Sequence, residues 1–171
     1  MSADWPAAIH TALQAAQVRQ VAYVPDAGHG ELLRLAHADP TMTPVLLTSE
    51  EEGLGVLAGA WLGGERAVLL LQSSGVGNCV NALSLVPLLQ LPFLALVTMR
   101  GEWGEFNPWQ VPMGTATADA FALMGVRSEH VTRAADVAPT VQAAASTVYE
   151  GGGAVAVLLG QRLIGSKEFL K

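Results

Sequence analysis

Hydrophobic positions along this chain follow two rhythms. Short runs at Val21–Val24, Pro44–Leu47, Ala67–Leu71, Phe93–Thr98 and Ala154–Leu159 are apolar at nearly every position. Strands that are apolar on both faces belong to parallel sheets covered by helices. Between the runs, Trp5–Val18, Glu31–Ala38, Glu50–Gly63, Asn78–Leu89, Ala116–Met124 and Val137–Tyr149 read as helices, and a further short strand is expected near Val126–Val131. Strand and helix alternate through short connections. That order predicts an α/β fold: a doubly wound, mainly parallel sheet of about six strands with helices on both faces. No repeat, linker or low-complexity tract interrupts it, so residues 1–171 read as a single domain.

Composition narrows the class. Hydrophobic residues make up 51% and charged residues 14%, which excludes a disordered or acidic-tail protein. The net charge of −6, without any Lys/Arg cluster, argues against nucleic acid or an anionic membrane as partner. A lone cysteine, Cys79, excludes a disulfide framework and a cysteine-built metal site. No basic region and cleavage site follow Met1, so the expectation is a cytoplasmic protein. Leu83–Met99 imitates a membrane span, but Pro87, Gln90 and Pro92 break it and it falls short of the roughly 20 residues a bilayer needs.

Glu50–Gly63 is apolar or glycine on every face beyond its first turn, which predicts a buried helix. Interior glycines cost about 1 kcal/mol each relative to alanine, so Gly53, Gly55 and Gly59 point to close approach by another element or subunit. At its start, Ser49 and Glu52 have capping-box spacing, and the acids also complement the helix dipole. Glu50 stands apart because helical periodicity puts it on one face with Leu54, Leu57 and Trp61, where a carboxylate is costly unless paired.

Three further segments sit at strand ends. Ser73-Ser74-Gly75-Val76-Gly77-Asn78 follows a strand and opens a helix; its glycines admit either a ligand against the backbone or a helix entry with positive φ. It is neither a dinucleotide fingerprint nor a P-loop. Pro25-Asp26-Ala27-Gly28-His29 lies at the same sheet edge, where Asp26 serves either a ligand crevice or a turn. None of the four histidines has convincing metal spacing. The long loop Arg100–Thr115 carries Trp103, Phe106 and Trp109 and reads as functional. Within it, Arg100 either forks onto a carboxylate, sulfonate or phosphonate or pairs with Glu102 or Glu105.

Taken together and in order, TSEEEGLGVLAGAWLGG, LLLQSSGVGNCVNALSLV and MRGEWGEFNPWQVPMG resemble the pyrimidine-binding (alpha) subunit of thiamine-diphosphate-dependent decarboxylases. The likeness is greatest to the sulfopyruvate decarboxylase alpha subunit, then to phosphonopyruvate decarboxylase. It spans roughly Val21 to Val131. In that family a glutamate closing the second strand stands a fixed distance before a helix glycine; with Gly59 as that glycine, the glutamate is Glu50. The resemblance implies that Glu50 bonds N1′ of the cofactor's aminopyrimidine and so promotes loss of the thiazolium C2 proton. It implies cofactor contacts at Pro25, Ser74, Gly75, Gly77 and Asn78, a proton-shuttle role for Asp26, and substrate contacts at His29, Arg100, Asn107 and Gln110. The family's G-D-G motif, which holds Mg²⁺ and diphosphate, is absent from this sequence. The expectation is therefore a pyrimidine domain without metal ligands, working in a hetero-oligomer built on dimers with a separate diphosphate-binding beta subunit that supplies the Mg²⁺ site. The reaction implied is decarboxylation of a small anionic 2-keto acid. Carboligation on the same cofactor, or a noncatalytic ligand-binding module, are the alternatives.

Overall fold

The computed structural model describes residues 4–165; residues 1–3 and 166–171, and with them the ends of the expected domain and the Met1 region, lie outside the described residues. Helix α1 (Trp5–Ala15) leads into β1 (Val18–Tyr23), α2 (Gly30–Ala38), β2 (Thr43–Leu46), α3 (Glu52–Leu62) and β3 (Arg66–Gln72). There follow α4 (Ser73–Cys79), α5 (Leu85–Leu89), β4 (Phe93–Thr98), α6 (Val111–Leu123), β5 (Arg127–Val131), α7 (Ala134–Tyr149), β6 (Ala154–Leu159) and α8 (Gln161–Ile164). The strands form one six-stranded sheet in the order β2-β1-β3-β4-β6-β5. Every neighbouring pair is parallel.

The apolar runs become the inner strands for a direct reason: β4 is buried at every position and β3 from Ala67 to Leu71. Side chains alternate across the sheet. Val68, Leu70, Leu94 and Leu96 join Ile9, Leu32 and Val141 of α1, α2 and α7 on one face. Leu69, Leu71, Ala95 and Val97 join Leu54 of α3, Val76 of α4, Leu83 of the turn before α5 and Phe121 of α6 on the other. The edges depart from the continuous apolar pattern, since each has a single neighbour. Leu46 of β2 is largely exposed, and β5 reads Arg-Ser-Glu-His-Val. Pro44 suits an edge strand, where one side of the backbone needs no N–H.

Several local expectations change. Ser73–Cys79 is itself helical, and neither Gly75 nor Gly77 has positive φ, so the helix-entry explanation of these glycines does not apply. The single helix expected over Asn78–Leu89 divides into α4, a 3-10 turn at Ala82–Ser84 and α5, ending on Gln90 in the left-handed region at φ 50°. Much of the long aromatic loop is ordered structure. Pro108 opens a 3-10 turn and α6 begins at Val111 with Pro112 in its first turn, where a missing N–H costs nothing. Helix α3 is buried only along Gly53, Leu54, Leu57 and Ala60; Gly55, Gly59 and Leu62 face outward. Of its glycines Gly53 alone is pressed by the sheet: a Cβ there would collide with Leu69, whereas nothing lies near Gly55 or Gly59. Glu50 precedes this helix rather than riding on it, and Trp61, expected on the same buried face, is 43% exposed. The expected capping box does not form, since Ser49 caps no helix amide: its hydroxyl donates to Glu51, and the Glu52 carboxylate accepts from the Thr48 N–H at 2.8 Å. Among the described residues no helix is long and apolar enough to cross a membrane.

Candidate active site

Strand order reverses between β1 and β3, and in open parallel sheets the crevice beyond the carboxyl ends at such a point is where ligands bind. Asp26, just past β1, ties the crevice together. Its Oδ1 accepts from Gln72 Nε2 at 2.8 Å, and its Oδ2 accepts from Thr98 Oγ1 at 2.7 Å and from the Gly28 N–H at 2.9 Å. Ser74 Oγ extends the network by donating to Gln72 Oε1 at 3.0 Å. Burial alone would raise the Asp26 pKa, but the hydrogen bonds from the Thr98 hydroxyl, Gln72 and the Gly28 amide bring it below the ordinary carboxylate range. These bonds give Asp26 a structural task, joining β1, β3 and β4. Pro25 beside it is exposed.

His29 lies beneath this network and is fully buried. Its Nε2 is 3.1 Å from the Leu96 carbonyl and 3.3 Å from the Leu71 carbonyl, and its Nδ1 has no hydrogen-bond partner. Desolvation lowers its pKa against the opposing pull of Asp26 and the two carbonyls, so the ring is held neutral. Out of solvent reach, it braces strand ends and cannot meet a substrate as expected.

Glu50 reaches the same edge from the β2–α3 connection. Its Oε2 accepts from Asn78 Nδ2 of α4 at 2.8 Å. A Cβ placed on Gly75 would collide with the Glu50 carboxylate, so the glycine provides the space the acid occupies. Beside Asn78 a cleft of about 650 Å³ opens between α4 and the start of α6, lined by Ser74, Gly77, Asn78, Pro108, Trp109, Pro112 and Met113. A Cβ on Gly77 would press on Met113 Sδ at 3.3 Å, narrowing that cleft. A half-buried carboxylate beside an apolar cleft can accept a hydrogen bond from, or exchange a proton with, a heteroaromatic ring lying there.

Arg100 takes the paired alternative. Its guanidinium forks onto Glu105, with Nε and Nη2 each 2.6 Å from a carboxylate oxygen, and both side chains are buried. The Arg100 hydrogen bonds, against the cost of burial, and then the Asn107 and Gly101 amides and Gln161, lower the Glu105 pKa to about 2. An arginine so neutralised is not available to a substrate anion. Asn107 caps the 3-10 turn, accepting from the Trp109 N–H at 3.1 Å. Gln110 keeps its Oε1 buried without a partner.

Glu105 is one of the two partners the sequence offers Arg100, whereas Gln72, Thr98 and Gln161 were not singled out as members of these networks. Gln72 and Thr98 end apolar strands and Gln161 follows one, so a polar residue closing a buried run was the available signal. Among the described residues, no group of three or more His, Cys, Asp or Glu is placed to hold a metal ion.

No protein-family model matches the chain. Individual relatives do. The chain is 35% identical over 160 residues to the sulfopyruvate decarboxylase subunit alpha of Methanothermobacter thermautotrophicus, covering 93% of this chain and 97% of that one. It is 39% identical over 108 residues to the subunit of the same name from Methanocaldococcus jannaschii, covering 63% and 64% respectively. Against phosphonopyruvate decarboxylase of Streptomyces viridochromogenes, identity is 37% and the matched part spans only 27% of that longer protein. Among solved structures, a 2-oxoglutarate:ferredoxin oxidoreductase from Magnetococcus marinus shares the fold with a TM-score of 0.74 at 13% identity, over 96% of this chain and 29% of that one. The fold is the one shared with that oxidoreductase, and 35% identity to a relative aligned over nearly its full length shows that this chain belongs to the family of sulfopyruvate decarboxylase alpha subunits.

Proposed function

We propose that the chain is a single pyrimidine-binding domain of a thiamine-diphosphate-dependent decarboxylase, acting on a small 2-keto acid with an anionic tail. The observation that carries this reading is the seating of Glu50 against α4 at the Ser74–Asn78 cleft. The donor set fits the pyrimidine half of the cofactor. Glu50 offers the carboxylate a ring nitrogen needs, and Met113, Pro112 and Trp109 offer apolar surface for a flat ring. When bound, thiamine diphosphate supplies the electron sink that makes loss of CO₂ from a 2-keto acid feasible.

This chain's residues do the rest. Glu50 holds or moves a proton at the pyrimidine nitrogen. Asn78 fixes its Oε2, and Gly75 lets it lie flat against α4. Ser74 and Gly77 line the ring's approach, and Pro25 stands at the crevice mouth. Asn107 and Gln110, in the turn that leads into the cleft wall, are the proposed contacts of the keto acid, through the groups the turn leaves free: the Asn107 side-chain amide N–H and the Gln110 amide. With no G-D-G motif in the sequence, Mg²⁺ and the diphosphate fall to a separate beta subunit; the relatives are themselves named as alpha subunits.

The test is reconstitution. The chain, co-purified with its partner from the native host and given thiamine diphosphate and Mg²⁺, should release CO₂ from sulfopyruvate or phosphonopyruvate. The chain alone should release none. Product analysis with an added aldehyde separates decarboxylation from carboligation, and failure of any 2-keto acid to turn over would reduce the chain to a binding module.

A further inference from the structure

Glu105 is the most heavily bonded side chain near the cleft. Its Oε1 accepts from Arg100 Nη2 at 2.6 Å and from the Asn107 N–H at 3.0 Å. Its Oε2 accepts from Arg100 Nε at 2.6 Å, Gln161 Nε2 at 3.0 Å and the Gly101 N–H at 3.2 Å. Gln161, only 1% exposed, works in both directions. While its Nε2 donates to Glu105, its Oε1 accepts from the Glu102 and Trp103 amides at 2.9 and 3.0 Å. Its own N–H donates to Glu102 Oε2 at 2.9 Å. Only a neutral amide meets both demands, since one end faces two N–H donors and the other a carboxylate.

This clamp presses directly on the cleft wall. Gly101, at φ +78°, lies so close to the first turn of α6 that a Cβ would run into Gln110 O and Val111 Cα. A Cβ on Gly114 would collide with the Arg100 carbonyl. Gln110 and Gly114 flank Val111–Met113, and the other wall of the cleft is Ser74–Asn78. A buried ion pair is poor value as stabilisation, because desolvation offsets its attraction, but it holds geometry tightly.

We propose that Gln161 is a positioning residue: through Glu105 and the loop amides it holds Arg100–Gly101 against α6, and so sets where Asn107, Trp109 and Met113 stand and how tightly the cleft holds its 2-keto acid. The identity of the ligand rests on the decarboxylase reading; the clamp itself does not.

Two measurements on the full chain decide this. In Gln161→Glu, which sets a carboxylate against Glu105, hydrogen exchange at the Gly101, Asn107 and Trp109 amides should rise roughly tenfold while β3 and β4 amides stay protected, as expected for loss of a buried hydrogen bond. Gln161→Met, similar in size and uncharged, should show the same pattern and serves if the first variant does not fold. Faster exchange confined to Glu102 and Trp103 would overturn the proposal. In the complex with its partner, KM for sulfopyruvate should rise about tenfold with kcat within about twofold, as for loss of uniform binding. A fall in kcat at unchanged KM would equally overturn it. If the wild-type complex turns over no 2-keto acid, the proposed function fails and exchange alone judges the clamp.

Discussion

The carboxylate of Glu50 lies where the side chain of any residue but glycine at position 75 would stand. The acid comes from the β2–α3 connection and the glycine from α4, so two distant motifs share one volume. Gly75→Ala should therefore expel the carboxylate while barely harming the fold, because alanine gains about 1 kcal/mol of helix propensity against the clash. Thermal unfolding should shift little, and thiamine-dependent CO₂ release by the reconstituted complex should fall by at least about tenfold, on the scale of a misplaced reacting group. Full activity in the alanine variant would show that Glu50 has another acceptable seat.

Glu50→Gln and Glu51→Gln form a matched pair. The first keeps shape but removes a proton-exchanging group, and turnover should drop by about 10²–10⁴-fold. Glu51 is exposed and accepts from the neighbouring Ser49 hydroxyl, so its variant should lose at most about 1 kcal/mol of dipole interaction and keep its turnover. CO₂ release and C2–H exchange of the cofactor, measured on both, distinguish the outcomes. Equal mild losses would reduce Glu50 to an acid of the helix entrance.

Acid should release the Arg100–Asn107 loop. Glu105 titrates at about 2 in the folded chain, below its ordinary 4.5, because Arg100 and the loop amides favour its charged form. A depressed carboxylate contributes its full stability above the ordinary value and loses it as pH falls toward the folded value. The loss should run from about pH 4.5 down to about 2. Amide chemical shifts at Gly101 and Asn107 should follow that range. Glu105→Gln should remove this dependence and destabilise the chain by roughly 3 kcal/mol, leaving Arg100 buried and unpaired.

His29 gives a dependence nearer neutrality. Burial holds its folded pKa below the ordinary 6.5, so the unfolded chain takes up the proton first. Stability from this group is complete above 6.5 and falls as pH drops below it. Denaturant unfolding across that range should show a slope that His29→Gln abolishes. An imidazole resonance of His29 that titrates near 6.5 in the folded protein would contradict the neutral assignment.

Much of the architecture follows from composition at single positions. β3, β4 and β6 are legible because burial on both sheet faces demands apolar side chains at consecutive positions, and few other settings do. β5 was harder to read because an edge strand needs only part of that pattern. The start of α6 was obscured by Pro108 and Pro112, which break helices inside but suit their first turns. Glu50 stands out in the sequence through its spacing to Gly59 in the family pattern, and its role at the cofactor is the proposal made above. Its seat was not legible, since a single sequence cannot show that Gly75 and Asn78 fold onto it.

The polar networks were decided by tertiary structure. Asp26 binds Gln72 and Thr98, 46 and 72 residues away, and Glu105 binds Gln161 across 56. No local pattern encodes such pairs, because each side chain is an ordinary strand-end or loop residue until the parallel sheet aligns the strand ends. Arg100 shows the same point at short range. A guanidinium five residues before a carboxylate can face a ligand or fold back, and the sequence leaves both open. Burial chose the second, since an arginine shut into the interior needs its counter-charge within the protein.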